Sequence, residues 1–164
     1  MKVEKMSIFS GKYKYSLDEK GRINFLKILK RFGIDKENKE EVFYLMKDYV
    51  KITGSDKQYP IFYLYTETEW SEFSKLLENE FDDDELSAFT TQYCDETTMD
   101  NMQRVSFPKE FLKYIQASKN LFIQGLGNKL QVWSQENFDR YSENLAKAPT
   151  AKDYHGLYSK LRKK

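Results

Sequence analysis

The sequence is poor in the residues on which most hydrolases and small secreted domains depend. It contains one cysteine, Cys94, and one histidine, His155, among 164 residues. A single cysteine excludes an internal disulfide and a thiolate-rich zinc site, which fits a reducing compartment. One histidine in a basic tail provides no Ser-His-Asp or Cys-His arrangement, so the chain lacks the machinery of nucleophilic hydrolysis. We expect a protein that is not an enzyme, with His155 as a solvated surface residue.

Long apolar runs are also missing. No stretch approaches the roughly eighteen consecutive apolar residues that a membrane-spanning helix requires, and residues 1–5, MKVEK, do not begin the apolar run of a signal peptide. We therefore expect no membrane partner and a cytoplasmic location.

Two short motifs that could suggest a bound ligand are incomplete. Gly125 and Gly127 lack the third glycine and the helix start of a dinucleotide site, so a hairpin turn is the better interpretation. The acidic run at residues 82–85 lacks the alternating ligands and the glycine of a calcium loop, which favours a solvated face. We expect no metal, no cofactor and no small-molecule substrate.

Aromatic residues are abundant, and charge is unevenly spread. Twelve Tyr and twelve Phe favour sheet-rich packing, and 40% hydrophobic residues exclude a disordered chain. Net charge is only +1, but residues 1–31 hold nine basic and three acidic residues, residues 67–96 one basic and eleven acidic, and residues 152–164 five basic and one acidic. This distribution suits a molecule with one surface for phosphates and another turned away from them.

A strand-turn-strand pattern at residues 13–25 occurs a second time. Apolar and polar residues alternate on both sides of the turn, and Gly21 supplies a residue that accepts positive φ. The residues Asp18, Arg22, Ile23 and Phe25 recur as Asp100, Arg104, Val105 and Phe107, all at an offset of 82. The chain therefore contains a degenerate internal repeat.

The repeat continues beyond the turns at a smaller offset. Residues 64–66 lead into Trp70 as residues 132–134 lead into Phe138, an offset of 68. The first copy must therefore contain fourteen additional residues, which we assign to an insertion at residues 47–59.

Capping and periodicity predict the helices. Thr66 and Glu69 form a capping box ahead of a buried stripe that comprises Trp70, Phe73, Leu76 and Leu77. We predict a bend at residues 81–85 and a helix over 86–93. In the second half, Pro108 begins one helix and Ser134 caps another.

Three motifs together resemble the MraZ family of bacterial transcription regulators. These are Tyr-x-x-Ser-Leu-Asp-x-Lys-Gly-Arg at residues 13–22, Asp-x-x-x-Arg with a following proline at residues 100–108, and Gly-Asn-x-Leu-x-Val-Trp-Ser at residues 127–134. The resemblance covers roughly residues 8–145. It implies an α+β fold of two tandem swapped-hairpin AbrB-type β half-barrels with pseudo-twofold symmetry and flanking helices.

The resemblance also sets the expected organisation of the chain. Residues 8–80 form the first swapped-hairpin repeat with its long hairpin insertion and helix, and residues 81–98 form an acidic linker. Residues 99–148 form the second repeat, and residues 149–164 form a basic C-terminal tail.

Two interpretations of the Asp-x-x-x-Arg turns remain open from the residues alone. In the first, Asp18 and Asp100 form ion pairs with the arginines four residues later and, with Gly21, shape the turns. In the second, Lys20 and Arg22 project toward DNA, where arginine can make a bidentate contact with phosphate or guanine. In the MraZ family the matching Lys-Gly-Arg lies on the DNA-facing hairpin, which implies DNA contact by Lys20 and Arg22. Further candidates for DNA contact are Lys12, Lys14 and Arg104.

The second copy departs from the family pattern. Residues 101–103, Asn-Met-Gln, replace a turn that usually contains glycine, and Gln103 brings no charge. Leu26 stands where the family usually has proline. If the second copy does not contact DNA, Arg104 has a structural role only.

The resemblance implies a DNA-binding transcriptional regulator associated with the nucleoid. Family members form a ring-shaped homo-oligomer that recognises short direct repeats in double-stranded DNA upstream of the cell-division and cell-wall gene cluster. One alternative is a ring-forming structural or protein-interaction module that has lost specific DNA binding. Another is an antitoxin-like AbrB relative that binds DNA as a dimer and binds a partner protein through its acidic middle.

Overall fold

The computed structural model describes residues 9–28, 41–149 and 154–162, and these residues form an α+β fold. The strands are β1 (Lys12–Ser16), β2 (Arg22–Asn24), β3 (Val42–Val50), β4 (Tyr59–Tyr65), β5 (Cys94–Thr98), β6 (Arg104–Ser106), β7 (Asn120–Gly125) and β8 (Leu130–Ser134). The helices are α1 (Glu67–Glu80), α2 (Asp83–Tyr93), α3 (Lys109–Tyr114), α4 (Gln135–Lys147) and α5 (Leu157–Arg162). Residues 26–28 are also helical. The sequence predicts that the first strand begins at Ile8 and that a short helix ends at Gly33, and both positions lie outside the described residues.

Six strands form one antiparallel sheet in the order β1-β7-β8-β4-β3-β5, and β2 pairs with β6 in a separate two-stranded ribbon. The two halves of the chain exchange strands. β1 from the first half pairs with β7, and β5 from the second half pairs with β3. Each half therefore completes the sheet of the other, and the order is symmetric about the β8–β4 pair.

The main core lies between the inner face of the sheet and the ribbon. Ile23 and Val105 pair across the ribbon, and both are buried. Phe62 of β4 meets Phe107 and Phe111 edge-on, with ring centroids 5.3 and 5.4 Å apart. Alternating residues of the central strands therefore face the ribbon and fix its position against the sheet.

Helices α1 and α4 cover the outer face. On α4, Phe138 stacks on Phe122, with ring centroids 3.6 Å apart. On α1, Trp70 stacks on Tyr44 at 5.5 Å. The predicted α1 stripe is wrong at Leu76, which is 64% exposed, because it lies beyond the edge of the apolar face that contacts the sheet.

The capping prediction holds in part for α1. The Glu69 amide donates to Thr66 Oγ1 at 3.4 Å, but Glu69 is only 3% exposed and its Oε1 has no hydrogen-bond partner. A capping box with both reciprocal bonds instead begins α2, between Asp82 and Glu85.

The predicted start of α2 is wrong by three residues. The helix begins at Asp83, because the acidic residues at 83–85 occupy the first turn, where the helix dipole favours negative charge. The segment assigned to an acidic linker, residues 81–98, thus contains α2 and the sheet strand β5.

The fourteen additional residues of the first half fall in two places. The strand pairing makes Val42 equivalent to Asn120, an offset of 78, and the helix caps make Thr66 equivalent to Ser134, an offset of 68. Ten of them therefore lie in the β3–β4 hairpin, and four lie between residues 25 and 42.

Among the described helices, none is both long and apolar enough to cross a membrane.

Candidate nucleic-acid interface

The first turn, residues 18–22, joins β1 to β2, and the Asp18 carboxylate holds it in place. Asp18 Oδ1 accepts from the amides of Lys20 and Arg22, both at 2.9 Å, and Asp18 Oδ2 accepts from Arg22 Nε at 2.7 Å. The Gly21 amide donates to the Asp18 carbonyl at 3.0 Å, and Gly21 has a φ of +72°. One carboxylate therefore fixes both the backbone of the turn and the arginine beside it.

The second turn, residues 100–104, repeats this geometry. Asp100 Oδ1 accepts from the amides of Met102 and Arg104 at 2.9 Å, and Asp100 Oδ2 accepts from Arg104 Nε at 2.8 Å. Gln103 takes the place of Gly21 with a φ of +58°. The missing glycine therefore leaves the turn conformation unchanged and puts a side chain into the left-handed region, which L residues enter at a cost.

The two turns are coupled through the ribbon. The Phe25 amide donates to the Gln103 carbonyl at 2.8 Å, and the Phe107 amide donates to the Gly21 carbonyl at 3.0 Å. Each turn is thus held by the phenylalanine that follows the other arginine. Because β2 and β6 run antiparallel, the two turns lie at opposite ends of the ribbon, so a ligand must lie along the ribbon to meet both.

The ion pairs of the two turns are partly exposed. The exposed fraction of the side chain is 21% for Arg22 and 31% for Arg104. Partial desolvation acts to raise the pKa of Asp18 and Asp100, but hydrogen bonds from the arginine amide and guanidinium hold that pKa below its ordinary value. Both carboxylates are therefore charged at neutral pH, as the structural interpretation of the turns requires.

The turns differ in the groups that remain available to a ligand. In the first turn Lys20 is exposed, and in the second the equivalent residue is Met102, whose exposed fraction is 59%. The Arg22 guanidinium has five N–H donors, and only the Nε donor is used in the ion pair with Asp18. The first turn thus offers two cationic side chains, and the second offers one beside an apolar tip.

One basic residue near the first turn was missed in the sequence. Lys109, at the start of α3, lines with Lys20, Gly21 and Ser118 an open cavity of about 460 Å³. The signal was present, since Lys27 and Lys109 are related by the same offset of 82 as the two turns. Lys109 therefore adds a second cation to this cavity, whose lining also includes Asp18 and Glu19.

Lys12 and Lys14 are exposed but lie apart from the turns. Lys14 pairs with Phe122 of β7, and the Phe122 ring stacks on Phe138 of α4 on the outer face of the sheet. Lys14 also lines an open polar cavity of about 320 Å³ with Asp139. The structure therefore places these two lysines on the opposite sheet face from the ribbon.

The described residues offer no alternative chemical site. Within ranges 9–28, 41–149 and 154–162, no three His, Cys, Asp or Glu side chains cluster as metal ligands do. Burial raises the pKa of the Cys94 thiol to about 11, which disfavours the reactive thiolate.

Comparison with known proteins identifies relatives along most of the chain. The family model "MraZ protein, putative antitoxin-like" matches residues 93–157. The transcriptional regulator MraZ of Chlorobium phaeobacteroides (strain BS1) is 34% identical over 139 residues, which cover 80% of this chain and 86% of that protein. The chain belongs to the MraZ family.

Two further MraZ relatives extend the match. The transcriptional regulator MraZ of Dictyoglomus turgidum is 24% identical over 96% of this chain and all of that protein. That of Syntrophomonas wolfei is 28% identical over 84% of this chain and 88% of that protein. The match to the MraZ family model extends from the end of α2 into α5 and includes the second turn. The long alignments with relatives also cover the first half of the chain.

Proposed function

We propose that the protein is a DNA-binding transcriptional regulator that acts through the first turn. The observation that carries the proposal is the exposed Lys20 beside an arginine held in place by Asp18. Orientation of Arg22 in the free protein lowers the entropy lost when its remaining donors meet phosphate or a base edge. Membership of the MraZ family supports the same function, since the relatives bear the name transcriptional regulator.

The strand exchange between halves is the basis for a proposal on architecture. Each half contributes a strand, a turn and a short ribbon strand, and then a hairpin and a capped helix. We interpret these as two swapped-hairpin AbrB-type half-barrels with pseudo-twofold symmetry. The first half-barrel comprises residues 8–80, and the second comprises residues 99–148 together with β5, which lies within the joining segment 81–98. The tail at 149–164 follows.

Lys20 and Arg22 are the principal contacts in this proposal. Lys20 acts as a point charge for a phosphate, and Arg22 contacts phosphate or guanine. Arg104 is a secondary contact, because it repeats the geometry of Arg22. Lys12 and Lys14 are exposed and cationic, but they lie on the opposite sheet face from the ribbon, so we leave them out of this contact surface. Asp18, Gly21 and Asp100 shape the turns.

The operator and the assembly belong to the same proposal. The protein forms a homo-oligomeric ring in the cytoplasm and binds short direct repeats upstream of its cell-division and cell-wall gene cluster on the nucleoid. Several copies of the first turn on one assembly engage successive repeats, so that modest individual contacts combine through effective concentration.

The test is binding to a tandem-repeat fragment from upstream of the protein's own gene, beside a scrambled fragment, at two salt concentrations. We expect tight and salt-dependent preference for the native fragment, because phosphate contacts release counterions. Equal weak binding to both fragments would contradict sequence-specific regulation. It would favour instead a ring-forming structural or protein-interaction module, for which the uncharged tip of the second turn is the supporting observation.

A further inference from the structure

The surface between α1, α2 and the end of β3 is an apolar groove with acidic surroundings. We call it the α1–α2 groove. It encloses about 560 Å³, and its apolar and aromatic lining comprises Met46, Tyr49, Phe73, Leu77, Phe89, Tyr93 and Tyr114. Tyr49 and Tyr93 are 45% and 42% exposed. Aromatic side chains exposed to this extent around one concave surface indicate a docking site.

Two polar side chains in the walls of the groove are already paired. Lys47 Nζ donates to Glu110 Oε1 at 3.1 Å and lies over the rings of Phe111 and Tyr114. The Tyr114 hydroxyl donates to the Asp48 carbonyl at 2.7 Å. An occupant therefore meets mainly apolar and aromatic side chains, beside Gln58 in the lining.

The two helices that border the groove are acidic, while its lining holds one cation, Lys47, and one carboxylate, Asp48. Residues 67–96, which include both helices, hold eleven acidic residues and one basic residue, Lys75. Lys75 Nζ is bonded to Glu72 Oε1 at 3.3 Å. The groove therefore favours a segment that combines apolar side chains with positive charge and disfavours nucleic acid.

The C-terminal segment of the chain has this character. Residues 152–164 hold five basic residues and one acidic residue. On α5, Leu161 follows Tyr158 by three residues and Leu157 by four. Leu157, Tyr158 and Leu161 are 44%, 76% and 57% exposed, while Lys160 and Arg162 supply charge. The apolar side of this helix thus remains exposed in its own chain.

We propose that α5 of one copy docks in the α1–α2 groove of a second copy, a contact that rests on the self-association in the proposed function. Helix α4, which leads to the tail, packs on β7 and β8, whereas the groove lies beside β3, toward the other edge of the sheet. Donor and acceptor surfaces are therefore different on each copy. Such a head-to-tail contact closes into a ring when its rotation permits closure.

Disulfide trapping in the full chain tests this contact. Cys94→Ser chains that carry Leu161→Cys are mixed with Cys94→Ser chains that carry Tyr93→Cys, and the mixture is mildly oxidised. We expect a linked pair of chains from this mixture. A matched control replaces Tyr93→Cys by Ser142→Cys, an exposed position on α4, and should yield no such pair.

A chain that carries both Leu161→Cys and Tyr93→Cys separates docking between copies from docking within one. Links between chains support the proposal, and links within one chain overturn it. Light scattering on the same samples reports subunit number. An intact oligomer without the expected link overturns the docking alone, whereas a monomer overturns both the docking and the proposed assembly.

The apolar contribution has its own readout. Leu157→Ala with Leu161→Ala, at positions exposed in the chain itself, should leave the fold intact. Loss of the two leucine side chains that docking would bury should weaken self-association by about tenfold or more in a dilution series. Self-association equal to that of the wild type would overturn the docking.

Discussion

The two turns share one scaffold and differ in the groups that they present. In both, a carboxylate accepts two backbone amides and the Nε of an arginine four residues later, with distances that agree within 0.1 Å. Lys20 and Gly21 in the first turn correspond to Met102 and Gln103 in the second. The comparison shows that the ion pair which builds the turn does not depend on the lysine that we propose as a DNA contact.

The largest expected effect is on DNA affinity when the arginine of the first turn is truncated. Arg22→Ala removes a charged contact and should weaken binding to the repeat fragment by about ten- to a hundredfold. Arg104→Ala removes the same type of ion pair from the second turn and should cost less than about threefold in affinity. Fluorescence anisotropy titrations measure both, and thermal unfolding of each variant controls for folding. Equal losses would show that both turns contact DNA alike.

Stability at the positive-φ position gives the next largest difference. Gly21→Ala should lower the free energy of unfolding by about 1–2 kcal/mol, because an L side chain is strained at φ +72°. The new Cβ would also lie 3.3 Å from Leu112 Cδ1.

Gln103→Gly is the opposite change in the other turn. Relief of strain should exceed the added freedom of the unfolded chain, so stability should rise by less than about 1 kcal/mol. Urea unfolding measures both variants. A stabilising Gly21→Ala would contradict the conformational explanation.

A lysine at the tip of the second turn should make it resemble the first. Met102→Lys adds a cation at the position equivalent to Lys20, on a side chain that is 59% exposed. We expect a gain in DNA affinity of about threefold and a salt slope steeper by about one. Met102→Gln, polar but uncharged, is the control and should leave the slope unchanged. An unchanged slope in Met102→Lys would mean that the second turn faces away from DNA.

The smallest expected effect is the pH dependence of the turns. Because the folded-state pKa of Asp18 and Asp100 is lowered, their contribution to stability is present above the ordinary pKa of Asp, about 4, and is lost as pH falls through the folded-state pKa. Asp18→Asn with Asp100→Asn should flatten the decline of melting temperature below about pH 4. An identical decline in the double variant would assign acid sensitivity to other carboxylates.

Local chemistry made much of the fold predictable. The offset of 82 identified both turns, and the Pro108 and Ser134 signals located α3 and α4. Turn residues and helix caps act within a few positions, so their signal remains legible in one sequence.

Tertiary contacts determined what the sequence did not reveal. The strand β5 is acidic and mostly exposed, so no apolar alternation marks it, and pairing with β3 alone defines it. Gln103 is held at positive φ because its amide donates to the Asp100 carbonyl at 3.1 Å and its carbonyl accepts from the Phe25 amide at 2.8 Å. The face on which Lys12 and Lys14 lie depends on pairing with β7, more than a hundred residues away.

The role of Lys20 is tested most directly by the salt dependence of DNA binding for Lys20→Ala beside Met102→Ala. The two substitutions truncate equivalent exposed side chains, one charged and one neutral. We predict that Lys20→Ala weakens binding and lowers the salt slope by about one, while Met102→Ala leaves both unchanged. Wild-type affinity and slope in Lys20→Ala would contradict DNA contact by the first turn.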